Sequence, residues 1–259
     1  MSSPPASPLS DRALLVDRIS LVILGVISYV PLLLTDRGQI GADTKPYLYL
    51  DPGALLSDSR WMWQPEVGLG SVPHQNIGYL WPMGPYYWVM ETLGFPDWVA
   101  QRLWIGTTIL AAGLGVRYLL RTIGWRNVGV TVALFAYALS PYGLAYFARI
   151  SALLLPWAGL PWLIGLTIRA TRSQGWRHPA GFALVAVTIG SINATSLLLV
   201  GLAPALWVVY EMVIRRSWTP MWAGVRIGML TLGCSLWWIV GVRTQGQFGP
   251  NVLRFTETY

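Results

Sequence analysis

The chain has 259 residues, of which 54% are hydrophobic and only 11% charged, with a formal net charge of +7. Soluble globular proteins carry roughly 25% charged residues, so this chain cannot clothe a water-facing surface, and a mean hydropathy of +0.50 assigns it to a membrane. The same numbers exclude intrinsic disorder, a disulfide framework (Cys234 is the only cysteine) and a zinc cluster (two distant histidines). Nucleic-acid binding is excluded too, because no soluble segment carries a basic stripe.

About 20 mainly apolar residues cross a bilayer as a helix, and the chain offers seven candidates. The first, Ile19–Leu34, has no small-residue cleavage site after it and reads as a retained anchor. A loop of about 36–102 follows, and within it Pro85–Val99 reads as an amphipathic helix lying along the interface. The second span is Leu103–Leu120. The third, Val128–Leu139, is short and stopped by Ser140-Pro141. The segment Ser140–Arg149 joins it to the fourth, Ala152–Ile168, as a re-entrant or interfacial elbow. Gly181–Ile192 makes a short fifth span, and Leu197–Ile214 and Met221–Val242 complete the set. The expected fold is all-α: one polytopic transmembrane domain over residues 1–259, with a long first extracytoplasmic loop bearing interfacial helices.

With the N-terminus inside, the short inner segments hold 11 of the 18 basic residues, as the positive-inside rule requires. The acids divide differently. Seven of the 11 lie between Asp36 and Asp97, so the first outer loop holds most of the acid chemistry of the chain. Long loops in compact domains are usually functional. Proton pumps carry ionisable groups in mid-membrane, and the apolar runs here do not, which favours chemistry at the outer surface.

Three features of the loop and its surroundings stand out. Asp43, in Gly41-Ala42-Asp43-Thr44-Lys45, lies about nine residues past the first span, near the headgroup plane; a helix cap is the plain alternative. Asp51-Pro52-Gly53 reads as a turn or cap. Trp61, Trp63, Trp81, Trp88 and Trp98 are interleaved with proline and glycine. They form either an aromatic belt at the membrane boundary or a carbohydrate cleft in which flat rings pack on sugar CH groups. His74, Gln75 and Asn76 cluster three side chains able to bind hydroxyls. Arg149, at the outer boundary, could hold a phosphate bidentately or pair with lipid headgroups. Walker, dinucleotide, G-x-S-x-G and H-E-x-x-H signatures are absent. Asn193-Ala194-Thr195 matches a glycosylation pattern too short to carry weight.

A multi-span chain with an acid early in a long first outer loop resembles the GT-C glycosyltransferases, which use polyprenyl-phosphate sugar donors. The strings GADTKPYLYLDP and HQNIGYLWPMGPYYW resemble the N-terminal membrane region of mycobacterial AftD-type alpha-(1->3)-arabinofuranosyltransferases. The resemblance covers about residues 15–250 and implies that this chain is the first membrane portion of a longer protein. It implies an inverting transfer of arabinofuranose from a polyprenyl-phosphate donor to the arabinan of arabinogalactan or lipoarabinomannan, in the plasma membrane of a bacterium. Asp43 would be the general base. Lys45 (the only lysine), Arg149 and, less well placed, Arg243 would bind the donor phosphate, and His74, Gln75, Asn76 and Trp81 the acceptor sugar. No cofactor is expected; a divalent metal held by Asp43 and another loop acid is the less favoured arrangement. Expected partners are donor, arabinan, membrane lipids and the rest of the longer chain. The rival readings are a lipid or polysaccharide transporter or flippase, and an inactive scaffold module of cell-wall assembly.

Overall fold

A computed structural model describes residues 11–249 apart from 42, 44–46, 66–68, 73–76 and 148. Among the described residues it contains eleven α-helices and two 3-10 turns, and its one β-bridge pairs Gln64 with Ser71. Six helical segments are long and apolar enough to cross a membrane: Leu15–Leu34 within α1 (Asp11–Leu34), α5 (Asp97–Thr122), Val128–Tyr146, Ser151–Arg172, α10 (Ala194–Arg215) and α11 (Thr219–Phe248).

Polar caps set the breaks between helices. Asp51 accepts from the Ala54 amide at 2.8 Å and Pro52 opens α3 (Pro52–Asp58), after the single turn α2 (Tyr47–Leu50). The cap reading of Asp51-Pro52-Gly53 therefore holds. The segment Pro85–Val99, expected as one interfacial helix, is divided: α4 runs Met83–Thr92. Gly94, at φ +76°, takes the left-handed conformation that closes a helix, and Pro96 has no N–H to continue it, so α5 starts afresh at Asp97. Asn127 caps α6 (Val128–Ala138). Ser140 and Pro141 open α7 (Pro141–Tyr146), which makes the expected elbow a single helical turn prolonging the third crossing. Asn193, the residue of the glycosylation pattern, caps α10 by accepting from Ser196 N at 3.0 Å.

One expected span is corrected. The fifth is α9 (Arg177–Gly190), whose 14 residues reach only about 21 Å against a hydrocarbon core of about 30 Å. It nevertheless joins the same two ends of the bundle as its neighbours, because the long loop between α1 and α5 meets its C-terminal end. The single Ser191 hydroxyl proton is shared between the Gly78 carbonyl, at 3.0 Å, and that of Trp81, and Trp81 Nε1 donates to Thr188 Oγ1 at 3.1 Å.

The helix α8 (Leu154–Arg172) is the most buried of the spans and lies between α5, α9 and α10. Close approach to α5 relies on a missing side chain. A Cβ on Gly165 would lie 2.6 Å from the Tyr118 ring, and membrane helices pack through such small residues. Trp162 Nε1 adds a bond to the Ala111 carbonyl at 2.9 Å. By contrast, α1, α10 and α11 leave much apolar surface uncovered, such as Leu198, Leu202, Leu206, Met229 and Leu236. Those are the faces for lipid or for further helices.

Candidate active site

The two ends of the bundle are marked by two aspartates. At one end Asp17 of α1 accepts from Arg117 Nη2 at 2.7 Å and from Arg121 Nη2 at 2.6 Å, both on the last turns of α5. At the other end lies Asp43, between α1 and α2. It is only 4% exposed, so it is a buried rather than a solvated acid. Its Oδ1 accepts from the Ser151 backbone N–H at 2.7 Å and its Oδ2 from the Tyr49 hydroxyl at 3.3 Å. Ser151 opens the 3-10 turn that leads into α8, so the elbow after the third crossing delivers an amide to an acid 108 positions earlier.

The segment that carries Asp43 is fixed by α5. Gln101, fully buried, accepts from Gly41 N at 2.8 Å through Oε1 and donates from Nε2 to Gly41 O at 3.0 Å, much as a neighbouring strand would. Arg102 extends the clamp, donating to Gln101 Oε1 at 3.0 Å and to Gln39 O at 3.3 Å.

Behind Asp43 stands an aromatic layer. The Tyr49 ring meets Tyr87 edge-on at 4.9 Å, and Tyr86 and Tyr87 pack on Trp104 at 5.1 and 6.2 Å. Burial, with Tyr49 and the Asp43 carboxylate nearby, pushes the Tyr87 phenol well above the ordinary tyrosine value, and burial does the same for Tyr86. Both phenols therefore stay protonated at neutral pH, and Tyr86 donates to the Ala100 carbonyl at 2.9 Å. On the far side of Trp104 an apolar cavity of about 410 Å³ opens between α5, α8 and α9, bounded by Trp104, Leu155, Trp162, Leu184 and Ile189.

The expected site residues fall unevenly around this centre. Arg149 is exposed and lies two residues before Ser151, so its segment is brought to Asp43. Arg243 is exposed on α11, near Gly241, whose Cα packs against Ile77 of the outer loop. Trp81, at 42% exposure, is anchored to α9 through its indole rather than to Asp43. Lys45, His74, Gln75 and Asn76 lie outside the described residues. Farther out, Trp61 and Trp63 stand largely exposed beside Asp58 and Gln64 around a hollow of about 240 Å³. Sequence reasoning missed Ser151 and Gln101. No local pattern marks a backbone amide or a lone buried glutamine as part of a site, whereas Tyr49 lay inside the quoted string YLYLDP. Among the described residues no three His, Cys, Asp or Glu side chains converge as a metal site would require.

This arrangement is that of a polytopic helical membrane domain with a buried acid, Asp43, separated by aromatic rings from an apolar cavity lined by Trp104. Residues 27–259 match the family described as alpha-(1->3)-arabinofuranosyltransferase, N-terminal GT-C domain, and the chain belongs to that family. It is 31% identical over 229 residues to an alpha-(1->3)-arabinofuranosyltransferase of Mycolicibacterium smegmatis, and 29% identical over 244 residues to that of Mycobacterium tuberculosis. The matches cover 85% and 91% of this chain but 16% and 17% of those proteins, so the chain spans about a sixth of its curated relatives. A cryo-EM structure of the arabinofuranosyltransferase AftD from mycobacteria superposes with a TM-score of 0.85 at 28% identity, over 98% of this chain and 19% of that one.

Proposed function

We propose that this chain is the glycosyl-transferring membrane portion of an arabinofuranosyltransferase, moving arabinofuranose from a polyprenyl-phosphate donor to a cell-wall arabinan with inversion. The observation that carries the reading is Asp43: a buried carboxylate held by two neutral donors, one aromatic layer from an apolar cavity. Each carboxylate oxygen has about two acceptor positions, and Ser151 and Tyr49 occupy one apiece. Among the described residues nothing else binds the carboxylate, which leaves one position on each oxygen for an acceptor hydroxyl.

In the proposed step the acceptor hydroxyl oxygen attacks the anomeric carbon from the face opposite the lipid phosphate. The new C–O bond forms as the bond to the phosphate oxygen breaks, and the hydroxyl proton passes to Asp43. General-base help of this kind contributes roughly 10²–10⁴-fold. The departing phosphate gains negative charge and needs a cation; Lys45 and Arg149 are assigned that role, with Arg243 as the third candidate. The cavity beside Trp104 suits the first isoprene units of a lipid-linked donor, since its walls are almost wholly apolar. The exposed Trp61–Trp63 hollow, with Trp81 and the His74-Gln75-Asn76 stretch, is the proposed path of the arabinan, where indole faces pack on sugar rings. The reading includes no resident metal, so transfer should persist in EDTA.

The arginine-rich end is proposed to be cytoplasmic and the Asp43 end extracytoplasmic, in a bacterial plasma membrane. A single cysteine placed at Trp61 in a Cys234→Ser background should then react with an impermeant thiol reagent added outside intact cells; protection there would reverse the orientation.

The functional test uses the full-length protein with a polyprenyl-phosphate arabinofuranose donor and a synthetic arabinan acceptor. Transfer with inverted anomeric configuration is expected, and Lys45→Gln or Arg149→Gln should raise the donor KM more than the acceptor KM. Absence of transfer would defeat the proposal in favour of transport or scaffolding, and a retained configuration would overturn the direct-displacement step.

A further inference from the structure

At the end of the bundle opposite Asp43, a second cavity of about 300 Å³ opens where α8 and α10 end and α11 begins. Three guanidiniums line it: Arg172, Arg215 and Arg226. Each is held from behind. Arg172 Nη1 donates to Thr122 O at 2.8 Å, and Arg226 Nη1 donates to Gln174 O at 2.7 Å while its guanidinium sits 5.5 Å over the Trp176 ring. Arg215 pairs with Glu211, one turn earlier on α10.

The charge does not balance. Among the described residues Glu211 is the one acid paired to this cluster, so three cations face a single, buried carboxylate. A guanidinium has five donors, and the bonds just named use only a few on each. Ser173, also on the wall, has a buried hydroxyl that finds no partner among the described residues. The cavity thus offers surplus positive charge and spare donors around a space of headgroup size.

Its surroundings say what kind of anion would come. Trp222, 63% exposed, forms part of the wall, and Trp218 and Trp176 stand exposed nearby, as indoles do at a membrane boundary. From the same rim the uncovered apolar faces of α10 and α11 run into the membrane through Val209, Val213, Val225 and Met229. A free anion would use the arginines alone; a phospholipid would use arginines, indoles and these faces together.

We propose that this cavity binds the phosphate of an anionic phospholipid, with the headgroup among Arg172, Arg215 and Arg226 and the acyl chains along α10 and α11. Basic pockets between transmembrane helices at the leaflet boundary favour such headgroups, and guanidinium forks match phosphate geometry. The site is independent of Asp43 and of the transfer reaction.

The test is native mass spectrometry of the full chain in a neutral detergent, titrated with dioleoylphosphatidylglycerol or with dioleoylphosphatidylcholine. Retention of the anionic lipid should be at least about tenfold tighter. Arg172→Gln and Arg226→Gln should each weaken it roughly tenfold, the change expected for one charge-assisted hydrogen bond, whereas Arg126→Gln should not. Millimolar inorganic phosphate should leave the lipid in place. Equal retention of the two lipids by the unaltered chain would overturn the proposal whatever the variants do. So would undiminished retention by a folded Arg172→Gln/Arg226→Gln double variant, and displacement by inorganic phosphate would identify a free-anion site instead.

Discussion

The two ends of this helical bundle each hold an aspartate, and they treat it in opposite ways. Asp17 is clamped by two arginines from one turn of α5, with both partners more than two-thirds shielded. Its charge is spent on holding α1 to α5. Asp43 is more deeply buried, yet among the described residues it has no ion-pair partner; an amide and a hydroxyl hold it in place. Burying a carboxylate without a counter-ion is costly unless hydrogen bonds compensate, and a fold chosen for stability alone has cheaper ways to join α2 to α8. The contrast separates an acid that ties helices together from one kept available for a proton.

The largest expected effect on this comparison is that of Asp43→Asn in the full-length enzyme. Asparagine can still accept from the Ser151 N–H through its oxygen and donate from its NH2 to the Tyr49 hydroxyl oxygen, but it takes no proton, so turnover should fall about 10²–10⁴-fold with the fold retained. Next comes Gln101→Ala, which frees Gly41 without touching the acid. If Gln101 positions Asp43, kcat should fall roughly 10–100-fold while the donor KM holds; a change confined to stability would make it a packing residue only.

Asp17→Asn should do the reverse. Losing its charge leaves Arg117 and Arg121 without their partner and costs about 1–3 kcal/mol, seen as a lower melting temperature with kcat preserved. Trp81→Phe removes the indole bond to Thr188 and should cost about 1 kcal/mol, read by thermal unfolding; a larger loss of activity than of stability would place Trp81 on the acceptor path.

The smallest effect is a pH dependence. Tyr86 and Tyr87 are raised above the ordinary tyrosine value, so the unfolded chain loses these protons first. Their contribution to stability is fully present below about pH 10 and is lost as pH rises toward the folded values. Tyr87→Phe should flatten that alkaline decline in a melting series.

Much of this was legible in the sequence, for identifiable reasons. Apolar runs gave the six spans together with a seventh, Gly181–Ile192, that is too short to cross, and Asp51-Pro52-Gly53 and Ser140-Pro141 marked two helix starts, whereas the cap at Asn127 was not singled out. The shortness of α9 was legible but its reading as a span was not upheld, and its C-terminal end is met instead by Gly78 and Trp81, more than a hundred residues earlier. Asp43 was singled out by its position after α1, but its burial was not. Its setting depends on Ser151, which binds it from 108 residues away, and on Gln101, which holds Gly41 from 60 residues away, and neither leaves a periodic or compositional trace.

The most direct measurement compares kcat at saturating donor with the melting temperature for Asp43→Asn and Asp17→Asn, prepared side by side in the full-length protein. The account expects opposite profiles: Asp43→Asn folded and at least about 100-fold slower, Asp17→Asn destabilised and near normal in turnover. An Asp43→Asn enzyme that transfers arabinofuranose at the unaltered rate would contradict it.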